Sequence, residues 1–429
     1  MKNKKIKVLT LSDHPLSPSG VGSQTKYFIE ALLKTGNYNF VCLGGAIKHH
    51  DYTPIKVAPY NEDWIIYPVD GYGDHEKIRS IIRNEKPDVL WFMTDPRFFT
   101  WLWEIEDEIR AIVPMVYYHV WDNYPAPHFN RKFYESNDAI ITISKVTDDI
   151  VSQVAPNVYR KYIPHAVDPN IFKLINEDEE QFNHCVTVRE RVFSCDYEST
   201  KDKLLFFWNN RNARRKQSGT VIWWFKEYLD RVGHDKASLL MHTDPKDPNG
   251  QDLTHLIEHL GLNDGQVMIS NNKISPSDLA AMYNAADCTI NISDAEGFGL
   301  ATLESLSCET PIVVTMTGGL QEQVTDGENW FGFGIQPSSK AIIGSQQVPY
   351  ICEDRISQEQ FVDTLVRFTN LSKDERKAMG QAGRKHVLNN YSFESFEKSW
   401  VDTMAEIVET HGSWQNRKNY KRWRLLEVA

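Results

Sequence analysis

Two glutamates with seven residues between them, Glu296 and Glu304, stand in the stretch Ser293-Asp294-Ala295-Glu296-Gly297-Phe298-Gly299-Leu300-Ala301-Thr302-Leu303-Glu304. The stretch follows an apolar run ending at Ile292 and reads as a glycine-flanked turn that opens a helix near Phe298. Free N–H groups at a helix start, at the positive end of a dipole equivalent to about half a charge, suit a phosphate. Gly297 and Gly299 let a ligand approach the backbone closely. The amides around Gly297, Phe298, Gly299 and Leu300 are therefore candidate anion contacts. Glu296 lies in the turn and Glu304 about two turns into the helix, so the two carboxylates can reach different parts of one ligand. The same spacing also fits a solvated loop glutamate and an ordinary helix glutamate.

A second cluster is Trp208-Asn209-Asn210-Arg211-Asn212-Ala213-Arg214-Arg215-Lys216-Gln217, at the end of an apolar strand. A guanidinium and an ammonium there, Arg211 and Lys216, can neutralise a leaving diphosphate. Arg214 and Arg215 are substitutes for one another or contacts for an acceptor. A solvated basic turn is the plainer alternative. Ser19-Gly20-Val21-Gly22-Ser23 opens the first helix with Asp13 just upstream. It fails the dinucleotide fingerprint, because Thr25 stands where the third glycine belongs. Its amides, Gly22 included, suit phosphate or an acceptor, and a tight turn is the alternative. His255 and His259 share a helix face without a third ligand, so no metal site is expected.

These groups need a scaffold. Short apolar runs, Lys7–Leu11, Val41–Leu43, Asp88–Phe92, Met115–Tyr118 and Ala139–Ile143, alternate with helical patterns. A second alternation follows: Leu204–Trp208, Ser238–Met241, Val267–Ile269, Cys288–Asn291 and Pro311–Val314. Continuous apolar strands between helices predict parallel sheets covered on both faces, an α/β class with two doubly wound domains. Ligands of such sheets sit beyond the carboxyl ends of the strands. The polar stretch 171–203, with Glu177-Asp178-Glu179-Glu180, reads as a linker or surface excursion. The domains expected are 1–170 and 204–404.

The chain has 429 residues, 41% hydrophobic and 24% charged, with a net charge of −11. This is a globular composition, and it argues against whole-protein affinity for nucleic acid or anionic membrane. No run of about 18 apolar residues is present, so no transmembrane segment is expected. The basic N-terminus, Met1-Lys2-Asn3-Lys4-Lys5, leads into a segment too short and polar for a signal peptide. Six scattered cysteines fit reduced thiols, and a cytoplasmic location is expected. The tail Arg417–Arg424 is basic, with Tyr420 and Trp423; it docks on an acidic surface or touches a polyanion.

The Glu296/Glu304 spacing, with Tyr283-Asn284-Ala285-Ala286-Asp287 before it and Cys308–Val314 and Gly318-Gly319-Leu320-Gln321-Glu322 after it, resembles the E-x7-E signature of the retaining glycosyltransferases of family four, which have the GT-B fold. Arg211 and Lys216 resemble that family's G-R-x4-K pair, with Asn210 in place of its glycine. The resemblance implies two facing Rossmann-like domains, with the C-terminal helices, about 405–429, crossing back onto the first. It implies that Glu304 holds the ribose hydroxyls of a nucleotide sugar, that Glu296 contacts the donor sugar, and that His119, at a strand end, contacts sugar or acceptor. Asp13 and Asp122 are weaker acceptor-side candidates.

The implied activity is transfer of a hexose or related sugar from a UDP- or GDP-linked donor to a hydroxyl acceptor, with retention and without metal or other cofactor. The acceptor is a glycan, lipid, protein or modified nucleobase. Alternatives are a sugar-nucleotide epimerase on the same fold, a phage-type glycosyltransferase acting on modified DNA bases through the basic tail, and a non-catalytic binding module.

Overall fold

The computed structural model describes residues 4–422. Met1–Asn3 of the basic N-terminus, and Trp423 and Arg424 of the tail, lie outside the described residues. Contacts divide the chain into two units, the first built from 1–165, 344–351 and the C-terminal segment from Glu394, the second from 166–343 and 352–393.

The first unit holds an eight-stranded sheet of β1 (Ile6–Asp13), β2 (Tyr38–Gly45), β3 (Ile55–Lys56), β4 (Trp64–Pro68), β5 (Val89–Met93), β6 (Met115–His119), β7 (Ala139–Thr142) and β8 (Tyr159–Tyr162), in the order β3-β4-β2-β1-β5-β6-β7-β8. All neighbours are parallel except the short β3–β4 pair. The central strands are buried on both faces because helices cover both, which is why their sequences read as unbroken apolar runs. β4 ends on Pro68 and β8 is Tyr-Arg-Lys-Tyr, so neither shows that signature.

The Phe393–His411 helix packs onto this unit. Its Trp400, fully buried, meets Phe28, Trp91 and Tyr118 at ring distances of 4.6, 6.1 and 5.0 Å. Truncating such a side chain costs about 3–5 kcal/mol. The contact begins at about Glu394, eleven residues earlier than the expected start near 405. Beyond it, Arg417 bonds Asp138 at 2.6 Å and the Arg110 carbonyl at 2.7 Å, and Tyr420 bonds Asp107 at 2.7 Å. The described part of the basic tail thus docks on acidic groups of its own unit.

The second unit holds β9 (Leu204–Asn209), β10 (Ala237–His242), β11 (Val267–Ser270), β12 (Cys288–Asn291), β13 (Ile312–Thr315) and β14 (Gly332–Ile335), all parallel, in the order β11-β10-β9-β12-β13-β14. A two-stranded sheet of β15 (Ser339–Ile343) and β16 (Ile351–Arg355) follows. β14 reads Gly-Phe-Gly-Ile, which looks like a loop. A Cβ at Gly332 would sit 1.9 Å from the Ile312 carbonyl oxygen, so close strand pairing excludes a side chain there.

The stretch 171–203 is not a linker. It carries the Phe182–Phe193 and Tyr197–Thr200 helices and belongs to the second unit. Arg189 is the reason. Its buried guanidinium bonds the carbonyls of Ala285 (2.8 Å), Thr200 (2.8 Å) and Lys203 (2.6 Å) and the carboxylate of Asp287 (3.0 Å). A fully partnered arginine is stable in a core, but in the sequence it reads as a solvated side chain.

Candidate functional site

In each sheet the chain order reverses beside its first strand. β9 lies between β10 and β12, as β1 lies between β2 and β5. Loops leaving the carboxyl ends at such a switch point diverge and leave a crevice. In the second unit those loops are 210–217, after β9, and 292–299, after β12.

Local hydrogen bonds shape both loops. Buried Asn212 donates to the Gln251 carbonyl at 2.7 Å and accepts from Ser218 Oγ at 2.6 Å, which folds the first loop back on itself. Ser293 Oγ donates to Asn291 Oδ1 at 2.5 Å and turns the second loop out of β12. The loops then zip together. Asp294 N–H donates to the Arg215 carbonyl at 2.9 Å, Gln217 Nε2 donates to Asp294 Oδ2 at 2.6 Å, the Arg215 guanidinium bonds the Ala295 carbonyl, and Lys216 Nζ bonds Glu296 Oε2.

Gly299 is the N-cap of the Leu300–Ser307 helix, at φ +93°. An added Cβ would meet Leu320 at 2.6 Å and Thr302 Oγ1 at 2.8 Å, so both backbone and space require glycine. The Glu296 carbonyl accepts from Gly319 N–H at 3.0 Å, and the Phe298 carbonyl from buried Gln323 at 2.7 Å. Loop carbonyls are thus turned inward. No side chain caps the helix start, and its first amides have no intrahelical acceptor. The chemistry available is an anion site.

Electrostatics separate the two glutamates. Burial raises the Glu296 carboxyl, but Lys216 and Arg215, with hydrogen bonds from Lys216 and Asn291, outweigh burial and hold it below the usual range. Glu304 is half-buried, and burial pushes its carboxyl up to about 7 against the lowering effect of a hydrogen bond from Tyr283. Asp294 is pushed up to about 6 by burial, Gln217's hydrogen bond opposing.

The expected cation pair is rearranged. Lys216 sits at Glu296, but Arg211 turns to Asp247, with contacts of 2.6 and 3.2 Å and a side chain 64% exposed. Arg215 is the second cation near Glu296. Arg214 forms a two-pronged pair with buried Glu353 on β16, at 2.8 and 2.5 Å. The strand register chooses these partners. Asp247, Glu353 and Ala295 are 36, 139 and 80 residues from the arginines they bind.

The remaining expected residues belong to the first unit. His119, expected at a strand end in contact with sugar or acceptor, lies at the end of β6 with no exposed surface. Its Nε2 shares a 2.6 Å hydrogen bond with the Tyr134 hydroxyl, and its ring packs on Tyr117 and Tyr134 at 4.8 Å. Burial lowers its pKa to about 3, so it is a neutral core histidine. Gly22 N–H, expected to face a ligand, donates to Ser19 Oγ at 3.0 Å as part of the helix cap. Asp13 accepts from Ser19 (2.6 Å) and Tyr72 (2.7 Å), and Asp122 is half-buried. A pocket of about 530 Å³ in the second unit lies by Asp287 and Pro311, which precede β12 and β13. It is therefore at the amino ends of the strands, opposite the loops.

The geometry sets a Lys216–Glu296 pair beside an uncapped helix start at the switch point of a parallel sheet. Residues 200–386 match the family described as Glycosyl transferases group 1. A stretch of 75 residues is 39% identical to D-inositol 3-phosphate glycosyltransferase of Paenarthrobacter aurescens, covering 18% of each chain. A stretch of 196 residues is 27% identical to alpha-monoglucosyldiacylglycerol synthase of Streptococcus pneumoniae, covering 46% of this chain and 41% of that one. The matched stretches thus span well under two thirds of these relatives' lengths.

Among solved structures, sucrose-phosphate synthase from Thermosynechococcus elongatus superposes with a TM-score of 0.71 at 15% identity, over 94% of this chain and 100% of that one. Anabaena HepE in complex with UDP and glucose gives 0.65 at 13%, over 94% and 100%. The second unit thus resembles glycosyl transferases group 1 over residues 200–386, and the fold is the two-domain α/β fold, GT-B, of the solved glycosyltransferases. Among the described residues, no helix is long and apolar enough to cross a membrane.

Proposed function

We propose that the protein moves a sugar from a nucleotide-sugar donor, UDP- or GDP-linked, to a hydroxyl acceptor with retention of anomeric configuration. The observation that carries this is the Lys216–Glu296 pair beside an uncapped helix start, with Glu304 on that same helix. The amides at Leu300 and Ala301 receive the diphosphate. Lys216, with Arg215 beside it, faces the negative charge that grows on the leaving phosphate oxygen, and a contact that strengthens in the transition state raises the rate. Arg211 joins them by exchanging Asp247 for the diphosphate.

Glu296 contacts the donor sugar and Glu304 the ribose hydroxyls. The bond from the anomeric carbon to phosphate breaks, the bond to the acceptor oxygen forms on the same face, and the acceptor proton passes to the departing phosphate. No metal or cofactor is required, because amides and side-chain cations supply the positive charge. The solved HepE complex holds UDP and glucose, which supports a uridine donor.

The test is thermal denaturation with UDP-glucose and with a GDP-linked hexose. Binding at a hundredfold excess over the dissociation constant adds about 2.7 kcal/mol. Glu304→Ala is expected to abolish that shift and the turnover. Absence of a shift with every nucleotide sugar tested refutes the assignment.

A further inference from the structure

Glu304 is held from outside its own helix. Its Oε2 accepts the Tyr283 phenol hydrogen at 2.7 Å, and the phenol oxygen accepts from Asn209 Nδ2 at 2.8 Å. Tyr283 lies on the Pro276–Ala285 helix, fully buried, with its ring edge-on to Phe207 at 5.1 Å and Phe172 at 6.1 Å. Asn209 is the last residue of β9, immediately before the cation loop.

A phenol has one hydrogen. With the Asn209 amide donating to its oxygen, that hydrogen is left to point at Glu304. Three elements converge here: β9 through Asn209, the 276–285 helix through Tyr283, and Glu304's own helix, where Cys308 is the nearby titratable group. Burial and Glu304 both push the Cys308 thiol up, and Arg384, which bonds the Ser307 carbonyl, pulls it down. Glu296 has cations against its carboxylate. Glu304 has the phenol.

We infer that Tyr283 and Asn209 are positioning residues for the donor, aiming one hydrogen bond at Glu304 that orients its carboxylate toward the ribose hydroxyls and favours its ionised form. The assignment rests on the proposal above that Glu304 takes those hydroxyls.

The experiment measures kcat and KM for UDP-glucose between pH 5.5 and 9 in the full chain and in Tyr283→Phe, Asn209→Asp and Glu304→Gln. Tyr283→Phe keeps the ring packing. It is expected to raise KM about tenfold near pH 7, the loss of one hydrogen bond to a charged group, with kcat within about twofold. It also moves the acid limb of kcat/KM up by about one pH unit, since the ionised carboxylate loses its donor. Asn209→Asp draws the phenol hydrogen away from Glu304 and shifts KM and the limb in the same direction, without touching the buried ring. A loss of kcat at every pH with the limb unmoved marks a merely structural role and overturns the inference. If Glu304→Gln leaves KM unchanged, the donor reading itself falls. If Glu304→Gln raises KM while neither Tyr283→Phe nor Asn209→Asp moves KM or the limb, the inference alone falls.

Discussion

A carboxylate kept for a ligand destabilises the protein that waits for it, and Glu304 allows that cost to be measured. Its carboxyl is raised from an ordinary 4.5 to about 7, chiefly by burial. A raised carboxyl favours the protonated form in the fold. Its stabilising contribution is therefore present below about pH 4.5 and lost as pH rises through about 7. At about 1.4 kcal/mol per pK unit the full difference is on the order of 3 kcal/mol. Glu304 is only half-buried, so solvent screening reduces this to about 1–3 kcal/mol.

Glu304→Gln removes the titration and keeps an acceptor for Tyr283. Without donor, the variant should match the wild type near pH 5 and exceed it at pH 8. In thermal denaturation that gap appears as about 2–4 °C per kcal/mol for a unit of this size. Asp294, pushed up to about 6, titrates in the same window, but it is common to both proteins and cancels in the difference. A saturating donor should reverse the ranking at pH 8. An equal gap between variant and wild type at every pH would refute the assignment of the penalty to Glu304 ionisation.

Further expectations concern the surrounding groups. Lys216→Gln strands Glu296 in a buried place, so urea unfolding should show a loss of about 3–5 kcal/mol, and turnover at saturating donor should fall about 10²–10³-fold. Arg189→Leu removes a buried donor from three carbonyls and the paired cation from Asp287, which keeps the Leu205 N–H; a loss of about 3 kcal/mol in the same assay is expected, and a loss under about 1 kcal/mol would restore the view of 171–203 as a linker or surface excursion. His119, with its pKa lowered to about 3, should stay neutral from pH 5 to 9, so its ring carbon proton should show no titration by NMR over that range.

The two-sheet plan was legible because parallel strands covered on both faces must be apolar at every position, as in Val89–Met93 and Leu204–Trp208. The glycine-flanked turn at Gly297–Leu300 was legible for a similar local reason: a strand end, two glycines and a helix start are consecutive. β14 was not, because close pairing with β13 required a glycine at position 332. Nor was the 171–203 segment, because the partners that make Arg189 a core residue lie up to 98 positions away.

The choice among cations shows the limit most clearly. Arg211, Arg214, Arg215 and Lys216 are near neighbours of similar charge. Which of them meets Glu296 depends on β9 and β12 lying side by side, so that residues 80 apart in the chain touch. His119 sits at the end of its strand as its sequence position implies, yet only packing against Tyr117 and Tyr134 makes it neutral and inaccessible. Sequence by itself determined the sheets, the glycine-flanked turn into a helix and the spacing of Glu296 and Glu304, since each depends on backbone period and neighbouring residues. Tertiary structure decided which charges pair, which are buried and which protons they hold, since Coulomb energy and desolvation depend on distance and exposure in space.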